Sequence, residues 1–169
     1  MRQLTVMTGA ASNDAPLWWM TTGRDGGSAG GPSSAPEGTS DTGISSPPRV
    51  LIVEDDWFVA ADSEAILTDA GYEVVGVAAT EVEALRMAET GAPDLVIMDI
   101  RLRGDDGIDI AGTLLARFGL RCIFSTAYGD PTTRKRAESV RPLGWVTKPY
   151  GLTHLLSVVE EALQHLAKQ

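Results

Sequence analysis

From Arg49 onward the chain reads as an α/β fold, with five βα units laid around a parallel sheet. Two observations carry this reading. Short, continuous apolar runs recur that are too brief and too apolar to be surface helices, as expected of strands covered on both faces. Between them lie longer stretches with helical spacing of apolar residues, most of them closed by a glycine.

In order, the strands are expected at Val50 to Val53, Glu73 to Val77, Leu95 to Met98, Cys122 to Phe124 and Gly144 to Val146, with the first, third and fourth central. Helices are expected at Phe58 to Ala70, ended by Gly71; Glu81 to Glu89, ended by Gly91; Ile108 to Phe118, ended by Gly119; and Leu152 to Leu166. A fourth helix falls within Asp130 to Val140. Its apolar stripe is the weakest, because Arg134, Lys135 and Arg136 sit together, and it should be the least firmly packed.

Residues 1–48 have a different texture. Twenty of them are Gly, Pro or Ser, and no apolar period lasts, so the segment is expected to be a disordered N-terminal extension, with residues 49–169 forming one folded domain. Its one apolar cluster is Leu17, Trp18, Trp19 and Met20. This reads as a few apolar residues in a loose arm, as sequence upstream of a start at Met7 or Met20, or as a docking motif. The arm holds Arg2 and Arg24 against Asp14, Asp25, Glu37 and Asp41, so most of the formal charge of -9 belongs to the domain.

That charge argues against nucleic acid as a partner, since phosphate neutralisation needs Lys and Arg, and favours a bound cation or a basic protein surface. A single cysteine, Cys122, excludes an internal disulfide and a CxxC metal cluster, and it is expected as a buried strand residue. No apolar stretch approaches the length of a bilayer span, and Met1 to Ala15 is not a secretory signal, so the expected location is the cytoplasm. His154 and His165 lack a paired acid and are assigned no role.

In an open parallel sheet, ligands bind beyond the carboxyl ends of the strands, and the unusual residues all fall there. The first strand runs into Glu54, Asp55 and Asp56, and the third into Asp99. If these two strands are neighbours, three or four carboxylates share one pocket, which is costly without a cation. Hard oxygen ligands in this number suit Mg²⁺. Taken alone, Glu54 to Asp56 reads equally well as a cap for the next helix. The fourth strand ends in Ser125 and Thr126, and the fifth leads to Thr147, Lys148 and Pro149. A carboxylate, a metal, an ammonium and a hydroxyl are the parts that phosphoryl transfer to an aspartate requires.

Over Arg49 to about Leu166 the chain resembles the receiver domain of two-component response regulators. The likeness is carried by the acids of LIVEDD (Glu54, Asp55), the acceptor of DLVIMDIRL (Asp99), the hydroxyl of FSTAYG (Thr126) and the Lys148-Pro149 pair of WVTKPY. The spacings, 44 residues from Asp55 to Asp99 and 22 from Thr126 to Lys148, match that family. The resemblance implies a doubly wound (βα)5, flavodoxin-like fold with strand order 2-1-3-4-5. It also implies phosphotransfer to Asp99 from a phosphohistidine of a sensor kinase or histidine phosphotransfer protein. Lys148 would pair with the aspartyl phosphate, Thr126 would hydrogen-bond it, and the backbone carbonyl of Arg101 would join Glu54, Asp55 and Asp99 around Mg²⁺. The Lys148-Pro149 bond is expected to be cis. Such a domain is a phosphoacceptor rather than an enzyme acting on a separate substrate. With only three residues after Leu166, output is expected through a downstream protein target, and the face of the fourth helix, fifth strand and fifth helix is a candidate for pairing two copies.

Three departures from the family pattern bear on mechanism. The loop Ile100 to Gly107 is long and lacks the common proline, leaving Arg101 and Arg103 as phosphate attractors or plain solvated charge. The aromatic switch position is Trp145, whose indole is larger than the usual ring and would stay outward as a fixed surface. Tyr128, two positions past Thr126, would shield the acyl phosphate, and together with Arg101 it is expected to tune the lifetime of that state. Two other classes share part of the pattern: a phosphatase with an aspartate nucleophile, which needs a second acid where Arg101 stands, and a constitutive interaction module with a vestigial site.

Overall fold

The computed structural model describes residues 46–127 and 130–168. The apolar cluster at Leu17 to Met20, nearly all of the N-terminal extension, and Tyr128 therefore lie outside the described residues. The elements run β1 (Arg49–Val53), α1 (Trp57–Asp69), β2 (Glu73–Ala78), α2 (Glu81–Gly91), β3 (Leu95–Asp99), α3 (Gly107–Phe118), β4 (Cys122–Thr126), α4 (Pro131–Ala137), a 3-10 turn (Glu138–Val140), β5 (Gly144–Thr147) and α5 (Leu152–Leu166). All ladders are parallel, in the order β2-β1-β3-β4-β5, so β1, β3 and β4 are central as expected.

The period of two along each strand sorts the core into two layers. Val50, Ile52, Leu95, Ile97, Ile123 and Val146 pack on Leu67, Leu155 and Val159 from α1 and α5. The alternate residues, including Leu51, Val53, Met98 and Phe124, pack on Ala84, Ala88, Ile110 and Leu114 from α2 and α3. Sequence periodicity alone places both sets inside, because neither face of the sheet is polar.

Boundaries differ from expectation where side-chain character stops being apolar but pairing continues. Asp99 is the last residue of β3, opposite Ser125, and Thr126 closes β4 opposite Thr147. The ladder thus carries the polar residues into line with one another. Gly71 and Gly119 take left-handed conformations after α1 and α3, as their positions predict. Gly91 does not: it is the last residue of α2, and Ala92 adopts the left-handed cap instead (φ 38°). The reason is packing, since a methyl group on Gly91 would lie 3.2 Å from the Val75 side chain on β2. The fourth helix is only one and a half to two turns long, with Ala137 its single buried residue, in keeping with its weak stripe. Among the described residues, no helix is long and apolar enough to cross a membrane.

Asp106, unremarked in the sequence, joins α3 to α4. Its carboxylate caps α3 by accepting from Ile108 N–H at 2.9 Å and pairs with Arg136 of α4 at 2.7 Å. Partial burial pushes its carboxyl up, but the hydrogen bonds from Arg136 and from Ile108 outweigh this and hold it below its ordinary 3.8. The folded state therefore binds fewer protons than the unfolded chain near that pH. The stabilisation is present above 3.8 and is lost as pH falls through the depressed value. Asp106→Ala should lower stability by about 1–2 kcal/mol at pH 7, read by urea unfolding. The gap between variant and native protein should close in strong acid; a gap independent of pH would count against the assignment.

Candidate functional site

The register of the sheet builds the site. Val53 is opposite Met98 and Asp99 opposite Ser125, so the residue that follows β1, Glu54, falls beside Asp99 at the carboxyl edge. Glu54 is fixed there by its own N–H, which donates to Ala78 O at 2.8 Å. The chain then turns into α1, and Asp56 supplies the cap, accepting from Phe58 and Val59 N–H at 3.0 and 3.3 Å. The three acids thus divide their work: Asp56 caps, while Glu54 and Asp55 turn toward Asp99. Carboxylate oxygens of Glu54, Asp55 and Asp99 all lie within 4.8 Å of one another.

Lys148 reaches the same point from β5. Its backbone N–H donates to Thr126 O at 2.9 Å, and the Lys148-Pro149 peptide that follows is cis. Its ammonium donates to Asp99 Oδ2 at 2.8 Å and to Glu54 Oε2. Burial alone would lower the Lys148 pKa, but the hydrogen bonds to Asp99 and Glu54 prevail and hold it above its usual value. For Glu54, burial pushes the carboxyl up further than the Lys148 hydrogen bond pulls it down, and the neighbouring Asp99 charge adds to the rise. The pocket therefore holds more negative charge than its one lysine satisfies, and the donor set of three clustered carboxylates fits a hard divalent cation such as Mg²⁺.

Thr126 is buried at the end of β4, one residue beyond the partner of Asp99. Ser125, opposite Asp99 in the ladder, buries its hydroxyl without a hydrogen-bond partner among the described residues. Trp145 is half-buried rather than fully outward: its indole lies against Phe124, with ring centroids 5.1 Å apart, and the Arg134 guanidinium covers it at 4.6 Å. Burial pushes the Cys122 thiol up to about 12, in keeping with an inert strand residue, and both His154 and His165 are exposed.

The loop after Asp99 contains what the sequence did not reveal. Arg101 is exposed and forms an antiparallel bridge with Asp106; its N–H donates to Asp99 Oδ1 at 3.2 Å. Arg103 is largely exposed, yet it is also paired. Its N–H and Nε both reach Asp55 Oδ2 at 3.2 Å. In the sequence Gly107 marks only the end of the loop, yet in the fold it passes directly over the Asp99 carbonyl, where a methyl group would stand 1.9 Å from the oxygen. A glycine eight residues after a strand-end acid was the one available sequence signal.

Comparison with known proteins agrees with this architecture. The family model of the response regulator receiver domain matches residues 50–160. The transcriptional regulatory protein PdtaR of Mycobacterium tuberculosis is 34% identical over 125 residues, covering 74% of this chain and 61% of PdtaR. The phyllosphere-induced regulator PhyR of Methylorubrum extorquens is 36% identical over 117 residues, 68% of this chain and 43% of PhyR. The chain therefore spans about three fifths of one relative and less than half of the other. Among solved structures, the signal receiver domain of a modulated diguanylate cyclase from Desulfovibrio desulfuricans superposes with a TM-score of 0.67 at 38% identity, covering 72% of this chain and 97% of that one.

Proposed function

The chain belongs to the response regulator receiver domain family, and on that premise we propose that Asp99 accepts a phosphoryl group from a phosphohistidine of a sensor kinase or histidine phosphotransfer protein. The observation that carries this reading is the junction at Lys148, whose ammonium ties Asp99 to the buried Glu54 at the carboxyl edge of the sheet. A carboxylate oxygen of Asp99 attacks phosphorus while the N–P bond of the phosphohistidine breaks. The electron pair of that bond stays on the imidazole nitrogen, and an acyl phosphate is left on Asp99. Lys148 then follows the negative charge onto the phosphoryl oxygens, and the Thr126 hydroxyl donates a hydrogen bond to them. Glu54, Asp55 and Asp99, with the backbone carbonyl of Arg101, would hold Mg²⁺, which offsets charge on the transferring group. Attack of water on the same phosphorus returns the carboxylate and inorganic phosphate. The domain thus catalyses its own phosphorylation and dephosphorylation.

On this reading the protein acts in the cytoplasm and passes its signal by protein contact. The face of α4, β5 and α5 takes the downstream target or a second copy. Trp145 would report the state of Thr126 to that face through its contact with Arg134. Incubation with a small acyl phosphate and Mg²⁺ tests the reading. A base-labile adduct of one phosphoryl group, located on Asp99 by mass spectrometry, is expected. Steady phosphate release without adduct would instead indicate a hydrolase, and no labelling at all a vestigial module.

A phosphodonor protein must cover the surface around the pocket, and two large side chains stand there. Trp57 and Phe58, each 67% exposed, stack with centroids 3.6 Å apart at the start of α1, directly after the acidic run. Exposed aromatics of this kind carry a large share of binding energy once a partner buries them. Trp57→Ala should slow transfer from a phosphohistidine protein by about tenfold in kcat/KM while labelling by a small acyl phosphate is unchanged. Equal loss with both donors would show that the ring supports the pocket rather than the partner.

A further inference from the structure

We propose that Arg103 is a built-in competitor for the divalent cation: its guanidinium holds Asp55 until the ion takes that carboxylate. The inference rests on the metal-binding reading given above and concerns its regulation. The three clustered carboxylates are served unequally from within the protein. Lys148 is committed to Glu54 and Asp99. Asp55 is left to Arg103, which approaches the same oxygen, Oδ2, through both its backbone N–H and its Nε.

The two partners differ sharply in their freedom. The Asp55 side chain is 14% exposed, whereas that of Arg103 is 87% exposed. The carboxylate is therefore a fixed feature of the pocket, and the guanidinium reaches in from solvent. An ion pair of this kind is weak enough to be displaced, and it sets a modest, tunable cost on whatever takes its place.

The loop is built to deliver this contact. Gly104 takes φ +96° immediately after Arg103, reversing the chain, and Arg101 and Asp106 pair across the turn. Leu102 is buried in the core, Asp105 accepts from Glu81 N–H at the start of α2 at 3.0 Å, and Asp106 holds Arg136 of α4. With its neighbours anchored, the residue at the tip is confined to the Asp55 side of the pocket, while its long side chain remains free to swing outward. Removing one positive charge beside a divalent ion also removes repulsion, so both effects act in the same direction.

The test is Mn²⁺ binding to the full chain, followed by loss of the free-ion paramagnetic resonance signal, with Mn²⁺ as a probe of the same oxygen preference. Arg103→Gln should bind about three- to tenfold more tightly than the native protein, and Arg103→Lys should fall between them. Asp55→Asn should lose most binding whatever stands at 103. In parallel, the Arg103 Nε–H resonance, identified by its absence in Arg103→Lys, should move toward the value of free arginine with the same midpoint as Mg²⁺ binding. Native affinity or weaker binding in Arg103→Gln would overturn the inference while leaving the metal site intact, as would an Nε–H resonance that ignores bound Mg²⁺. If neither native protein nor Arg103→Gln binds Mn²⁺, the inference and the metal-binding reading fall together.

Discussion

Asp99→Asn protein should take up no phosphoryl label from a small acyl phosphate and Mg²⁺, a drop of about a thousandfold or more to background, while remaining folded. The amide keeps the shape of the carboxylate, but its oxygen is uncharged and a far weaker nucleophile, so the bond to phosphorus does not form at a detectable rate. Retention of the fold follows from the contacts. Lys148 keeps Glu54 as its partner, and the side-chain oxygen at 99 can still accept from Arg101 N–H. The lost charge-assisted bond to Lys148 is offset in part by removal of the repulsion that Asp99 exerts on Glu54, so stability should change by less than about 2 kcal/mol. Intact-mass labelling together with urea unfolding checks both halves. Label retained at native stoichiometry would move the acceptor to another acid, with Asp55 the first to map. Loss of label together with loss of fold would leave the effect structural, and in that case Asp99→Glu, which preserves charge, separates the two.

The fold and the members of the site were legible for one reason: each depends on local character repeated along the chain. Val50 to Val53, Leu95 to Met98 and Cys122 to Phe124 announce central strands because nothing else of that length is so continuously apolar. Once the strands are in register, Glu54, Asp99, Thr126 and Lys148 come to one edge without further information. What stayed hidden depends on paths and distances that no residue type declares. Glycine illustrates the limit, since Gly71 and Gly119 serve backbone conformation whereas Gly91 serves contact with Val75, and the three look alike in sequence. Arg103 illustrates it again. Its pairing with Asp55, 48 residues earlier, requires the exact turn made at Gly104. Trp145 was expected to stay outward from ring size alone, but the half-buried indole has Phe124 on one contact and Arg134 on another, an arrangement set by the position of α4.

Gly107 is where distance rather than chemistry should decide the largest stability effect. It opens α3, and its N–H donates to Ile100 O at 3.0 Å, so the first turn of the helix lies against the backbone that carries the acceptor. A methyl group at this position would stand 1.9 Å from Asp99 O, 2.9 Å from Asp99 C and 3.0 Å from Ile100 Cα. All three are backbone atoms, so no side chain can yield to relieve the overlap. Gly107→Ala must displace either the start of α3, weakening the Asp106 cap, or the Asp99 to Ile100 segment itself. The helix-propensity gain of alanine, about 1 kcal/mol, is too small to offset this, and a net loss of about 2–3 kcal/mol is expected. Because a shift on the order of 1 Å at a reacting group costs about a hundredfold in rate, labelling of Asp99 should fall by about ten- to a hundredfold even where the variant remains folded. Gly112, in the same helix, supplies the contrast. A methyl group there meets only the Val140 side chain, at an ordinary 3.6 Å, so Gly112→Ala should stabilise the protein by up to about 1 kcal/mol and leave labelling untouched. Unfolding curves and phosphorylation rates for the two variants together decide the matter. If both alanines behave alike, close approach at Asp99 is not what glycine provides at 107.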